Sequence, residues 1–98
     1  MAVTKSEKMI QIITNTSLES HLIETFEKVG VTGYTIFNVR GDGDSGVQDS
    51  HIEGDTNILL MVVVPEDISE NLMKALSQYI KQKHHLMVFS VNAEVLSH

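Results

Sequence analysis

The chain contains no cysteine, an absence that removes disulfide scaffolds, thiolate zinc sites and cysteine nucleophiles together. It also lacks any apolar run near the ~18 residues needed to cross a bilayer. Met1 to Ser20 carry Lys5, Glu7, Lys8 and Glu19, so no signal-peptide core is expected there. These absences point to a cytoplasmic protein without membrane insertion. Basic residues are scarce: seven Lys and Arg against thirteen Asp and Glu give a formal net charge of −6, and Arg40 is the only arginine. Such a balance argues against nucleic acid as a partner, because backbone binding draws its affinity from clustered cations that release counterions. What is present is ordinary for a globular domain, with 98 residues of which 42% are hydrophobic and 20% charged. We expect one domain over 1–98, and a chain this short buries a comparatively small share of its surface alone.

Periodicity gives the element order. Lys8 to Thr14 alternates and is rich in isoleucine, which predicts a strand. Thr16 followed by Glu19 has the pattern of a reciprocal helix cap, and Leu18, Leu22, Phe26 and Val29 then fall on one helical face, with Gly30 as the stop. Tyr34 to Val39 and Asn57 to Val64 read as the second and third strands. The single proline, Pro65, closes the third. Asp67-Ile68-Ser69-Glu70 repeats the cap signal, and Ile68, Leu72, Leu76 and Ile80 make the stripe of a second helix. Lys81 to His85 turns the chain into a fourth strand over Leu86 to Val91. The order βαββαβ predicts an α+β, ferredoxin-like fold with an antiparallel sheet.

In that fold both helices cover the same sheet face, so a monomer's strands should be apolar only at alternate positions. These strands are apolar on both faces. Leu59, Met61 and Val63 oppose Ile58, Leu60, Val62 and Val64, and Met87, Phe89 and Val91 oppose Leu86 and Val88. Leaving large aliphatics wet costs roughly 1.5–3 kcal/mol per side chain relative to burial. Further copies of the chain are expected to supply the cover.

Between the second and third strands lies Arg40 to Thr56, with four glycines and five acidic residues. Neighbouring antiparallel strands need only a two-residue turn, so a flexible loop of this length is expected to contact something else. Asp42, Asp44 and Glu53 fall at the first, third and twelfth positions of a calcium loop. The position that demands glycine is Val47, however, and strands rather than helices flank the segment. Arg40-Gly41-Asp42-Gly43 at the loop's root admits two readings. One is an anion site, where glycines let backbone N–H groups approach closely and Arg40 adds a fork of donors; the other is a turn that needs positive φ.

The run Val29-Gly30-Val31-Thr32-Gly33-Tyr34-Thr35-Ile36, continued through Val39-Arg40-Gly41-Asp42-Gly43, resembles a segment of the PII signal-transduction family. Val62-Val63-Val64-Pro65-Glu66-Asp67-Ile68 is similar to that family's second-helix start. The resemblance implies a trimer with an adenine nucleotide (ADP, AMP or ATP) in the cleft between neighbours, and a T-loop over 40–56 that reports the nucleotide state to a partner. It implies a sensor rather than an enzyme. Carried over residue by residue, it implies that Gly33 and Thr35 lie near the base and ribose, Gly41 and Gly43 act as backbone donors, Arg40 is the basic residue, and Val63 lines the adenine pocket. Lys81-Gln82-Lys83-His84-His85 stands where the family has a Gly- and Lys-rich phosphate loop, and Lys83 is the residue placed to reach a phosphate. The stop at His98 omits the family's Arg-containing ending, which favours AMP or ADP over ATP. The loop has no tyrosine, so uridylylation is not expected.

The ending Ser90 to His98 and Gly33-Tyr34-Thr35 are similar to the PII-like branch of bicarbonate uptake and carboxysomes, called SbtB in cyanobacteria. That likeness implies a bicarbonate transporter as partner and bicarbonate as a second ligand. The alternative is a metal-responsive trimer resembling the CutA proteins, with His84, His85 or His98 as ligands. An acylphosphatase-like enzyme would need an arginine beside Asn15 near the first helix, and none is there.

Overall fold

The computed structural model describes residues 3–41 and 57–97. Its elements are β1 (Thr4–Asn15), a 3-10 turn (Thr16–Leu18), α1 (Glu19–Val29), β2 (Thr35–Val39), β3 (Asn57–Val64), α2 (Glu66–Lys81) and β4 (Leu86–Leu96). The four strands make one antiparallel sheet in the order β2-β3-β1-β4. The fold is α+β in the ferredoxin-like βαββαβ order, as the periodicity predicts. The segment expected as a long loop lies, apart from Arg40 and Gly41, outside the described residues.

Strand alternation decides where the core sits. Ile10, Ile12 and Thr14 of β1 and Ile58, Leu60, Val62 and Val64 of β3 are buried beneath Leu22 and Phe26 of α1 and Leu72 and Leu76 of α2. Leu86 and Val88 of β4 pack against the same cluster. The opposite face carries the other half of each strand, and Phe37, Val63, Met87, Phe89 and Val91 are exposed on it. Apolar residues on both faces with helices on one is the arrangement read from the third and fourth strands.

Several local expectations are corrected. Thr16 does not begin the helix: Asn15 leaves β1 extended (φ −81, ψ 147), its side-chain oxygen accepts from Ser17 N at 2.8 Å, and a 3-10 turn precedes α1. Asn15 captures the first free donor, so the helix starts at Glu19. Asp67 is not a cap either. Pro65 flanks α2 with φ −62 and ψ 161, and Glu66 and Asp67 both lie in the first turn, where their charges favour the helix dipole. Ile80 is half exposed, while Met73 and Tyr79 pack on the core in its place.

The strands β1 and β4 run longer than expected, to Thr4 and Leu96, and pair through Lys5↔Val95 and Glu7↔Ala93. The partner β3 ends at Lys8↔Val64, so this extension is a two-stranded ribbon projecting beyond the helices. Gly30 ends α1 as predicted, in the left-handed conformation with φ 95. A Cβ there would stand 3.2 Å from Ile68 Cδ1. This is the position where the fold itself requires glycine.

Candidate functional site

The expected site residues fall into three groups on the single chain. Gly33 precedes β2 and Thr35 opens it, opposite Met61 on β3. Val63 is two residues further along β3 on the same face, 43% exposed, so Thr35 and Val63 share the uncovered side of the sheet. Arg40 and Gly41 leave the other end of β2, five residues from Thr35, or about 17 Å at strand rise. Lys83 lies at that same end of the sheet but beside β4, the opposite edge. Three strand spacings, roughly 14 Å, separate those edges. Gly43 lies outside the described residues.

Among the described residues, sterics do not explain the glycines at 33 and 41. Both are exposed, neither has a positive φ, and a Cβ added to either meets none of those residues within 4 Å. Positive φ is thus not what places glycine at 41, and the rest of the Arg40-Gly41-Asp42-Gly43 turn lies outside the described residues. Arg40 is exposed and makes no hydrogen bond or ion pair among the described residues, where the ion pair is Lys5 Nζ to Glu7 Oε1 at 3.4 Å. A guanidinium of this kind has the donor fork that suits a bidentate anion.

The turn carrying Lys83 is tightly built. Lys83 adopts a left-handed φ of 74, its N–H donates to Ile80 O at 3.0 Å, and His84 N donates to Tyr79 O at 3.0 Å. This is the Schellman closure, with lysine where glycine is usual. Three side chains hold it in place. The His84 ring stands 5.9 Å from that of Tyr79. The Tyr79 hydroxyl donates to His21 O at 3.0 Å and lies 2.7 Å from Thr25 Oγ1 on α1. On the far side, the buried Thr14 hydroxyl donates to His85 O at 2.8 Å. Lys81, Lys83, His84 and His85 are all exposed at this end of the molecule.

Among the described residues, no three of His, Asp and Glu come together as a metal site, and His98 lies outside them. The sequence pattern assigns no role to an open depression of about 620 Å³ at the root of the ribbon, lined in part by Ser6, Lys8, Glu66, Asn92 and Glu94. Lys8 Nζ donates to Asn92 Oδ1 at 2.6 Å across it. Its polar residues come from β1, β4 and the first turn of α2, so no single stretch of sequence marks it.

Comparison with known proteins agrees with the fold. The family described as Nitrogen regulatory protein P-II matches residues 7–96. No match was found among curated proteins. Among solved structures, the chain is similar to CPII from Thiomonas intermedia K12 bound to ADP and bicarbonate. That match has a TM-score of 0.85 and 23% identity, covering 99% of this chain and 95% of that one. CPII bound to ADP, AMP and bicarbonate gives the same TM-score and identity, covering 99% and 94%. A PII-like signaling protein from Thermus thermophilus is 27% identical with a TM-score of 0.78, covering 95% and 92%.

Proposed function

Because this chain belongs to the nitrogen regulatory protein P-II family across residues 7–96, we propose that it works as a trimeric sensor of adenine nucleotides. One observation carries this reading. Gly33, Thr35 and Val63, then Arg40 and Gly41, then Lys83 sit apart on one chain but around the margin of an uncovered apolar face. When copies cover that face, residues from one chain's edge meet those of the next, and the separated groups become the walls of one cleft. In that cleft Gly33, Thr35 and Val63 receive the base and ribose. Arg40, the Gly41 and Gly43 amides and Lys83 receive the phosphates.

The loop over 40–56 is rooted at Arg40, so a phosphate bound there orders its base and changes the surface it offers to a partner. We assign the chain to the inorganic-carbon branch, with bicarbonate as a second ligand and a bicarbonate transporter as the protein that the loop touches. The similar fold of CPII, solved with ADP and bicarbonate, supports bicarbonate as the second ligand. The ligand class is an adenine nucleotide, and the CPII structures with ADP and AMP support it.

Isothermal titration with ADP, AMP and ATP, each with and without bicarbonate, tests the proposal. Binding of ADP or AMP is expected. Replacing Arg40 with Ala is expected to weaken it about tenfold or more, since a hydrogen bond to a charged group contributes ~1.5–3 kcal/mol. Absence of heat for all three nucleotides would overturn the reading.

A further inference from the structure

The uncovered sheet face has a polar centre. Gln11 of β1 lies opposite Met61 on β3 and Phe89 on β4. Its neighbours two residues along the strand are Met9 and Ile13, and the diagonal positions are Leu59, Val63, Met87 and Val91. All eight surrounding residues are apolar. The Gln11 amide nitrogen finds only Met9 Sδ, a weak acceptor, at 3.8 Å. Its side-chain oxygen has no hydrogen bond among the described residues. Four residues up the same strand face, Glu7 Oε2 is shut off from water with no hydrogen-bond partner among the described residues, while Oε1 pairs with Lys5 Nζ at 3.4 Å.

We propose that the Gln11 carboxamides of neighbouring copies hydrogen-bond to one another at the centre of the assembly and so fix how many copies associate and in what register. The inference rests on the reading above, that copies of this chain cover the face. Other occupants fit less well. The chain's own segment 42–56 carries five acidic residues, and Val47 and Ile52 are its only large aliphatics, so it lacks the apolar surface to cover the face. The exposed positions of α1 and α2 are polar apart from Ile80. The continuous apolar surface that a second copy can offer is therefore this same face.

A leucine or methionine at position 11 would suit a purely apolar seam better, because a buried amide without partners loses its bonds to water. A carboxamide carries both a donor and an acceptor, so identical copies related by a rotation axis satisfy one another head to tail. A seam shifted by one row would press each amide against Met61 or Phe89 instead. A single buried polar residue that sets register and copy number is well attested in coiled coils.

Gln11→Leu tests this, with wild type and variant compared at micromolar concentration by light scattering and native mass spectrometry. Wild type is expected to show one copy number. Gln11→Leu is expected to remain assembled and to melt no lower, while populating at least one further copy number. In wild type, the Gln11 side-chain N–H protons are expected to exchange on the order of tenfold more slowly than those of exposed Gln78 and Gln82. A variant with the same single copy number as wild type overturns the proposal, as does an exchange rate equal to that of Gln78. Wild type behaving as a single chain would instead remove the self-association reading, whatever stands at position 11.

Discussion

Replacing Phe89 with Glu is expected to dissociate the assembly while leaving each chain folded. In the single chain Phe37, Val63, Met87, Phe89 and Val91 retain 43, 43, 59, 39 and 42% of their exposure on the open face. Fully burying a side chain of this kind stabilises by roughly 1.5–3 kcal/mol, so covering the exposed part yields about 1 kcal/mol each and about 5 kcal/mol per chain. A glutamate at position 89 keeps its carboxylate in water while the chain is alone, at a cost of about 1 kcal/mol to the fold. Once the face is covered, the same carboxylate is sealed among apolar groups, and an unpaired buried charge costs several kcal/mol. That penalty matches the whole gain from covering the face, so association is lost at micromolar concentration. Sedimentation velocity paired with far-UV circular dichroism measures both halves. If the variant sediments as the wild-type assembly does, with an unchanged spectrum, the face is not the contact surface and the reasoning fails.

Three further substitutions probe features described above. Gly30→Ala forces a side chain into the left-handed region beside Ile68 Cδ1, and thermal melting should show a loss of about 1–2 kcal/mol. Lys83→Gly relieves the same conformation at the end of α2; stability should rise by about 1 kcal/mol, while calorimetry should show weaker ADP binding as the phosphate contact disappears. Thr14→Val removes the hydroxyl that tethers His85 O to the core strand and should cost about 1–3 kcal/mol in chemical denaturation. An unchanged midpoint would mean that water replaces the bond.

The fold is legible in the sequence wherever a segment touches the core. Asn57 to Val64 reads with its true bounds because every residue after Asn57 is apolar, and the assignment of its two faces follows from parity alone. The ends of β1 and β4 escape such a reading because Thr4 to Glu7 and Ala93 to Leu96 pair with each other beyond the end of β3, and Thr4 to Glu7 are all polar, so no apolar alternation marks that stretch of β1. The cap signal at Thr16 misleads because Asn15, one residue earlier, competes for the same donors. The site is legible as residue types but not as a place. The proposed members come from both edges of the sheet and both ends of β2, so no spacing within one chain brings them together.

The ribbon has a practical consequence for anyone attaching a label. Ser97 N donates to Val3 O at 3.0 Å, so the chain enters and leaves the described structure side by side. That tip stands eleven residues of β1, about 36 Å, from the sheet end where Arg40 emerges. A fluorophore or surface tether joined at either point would leave the opposite pole facing solution, available to whatever docks there.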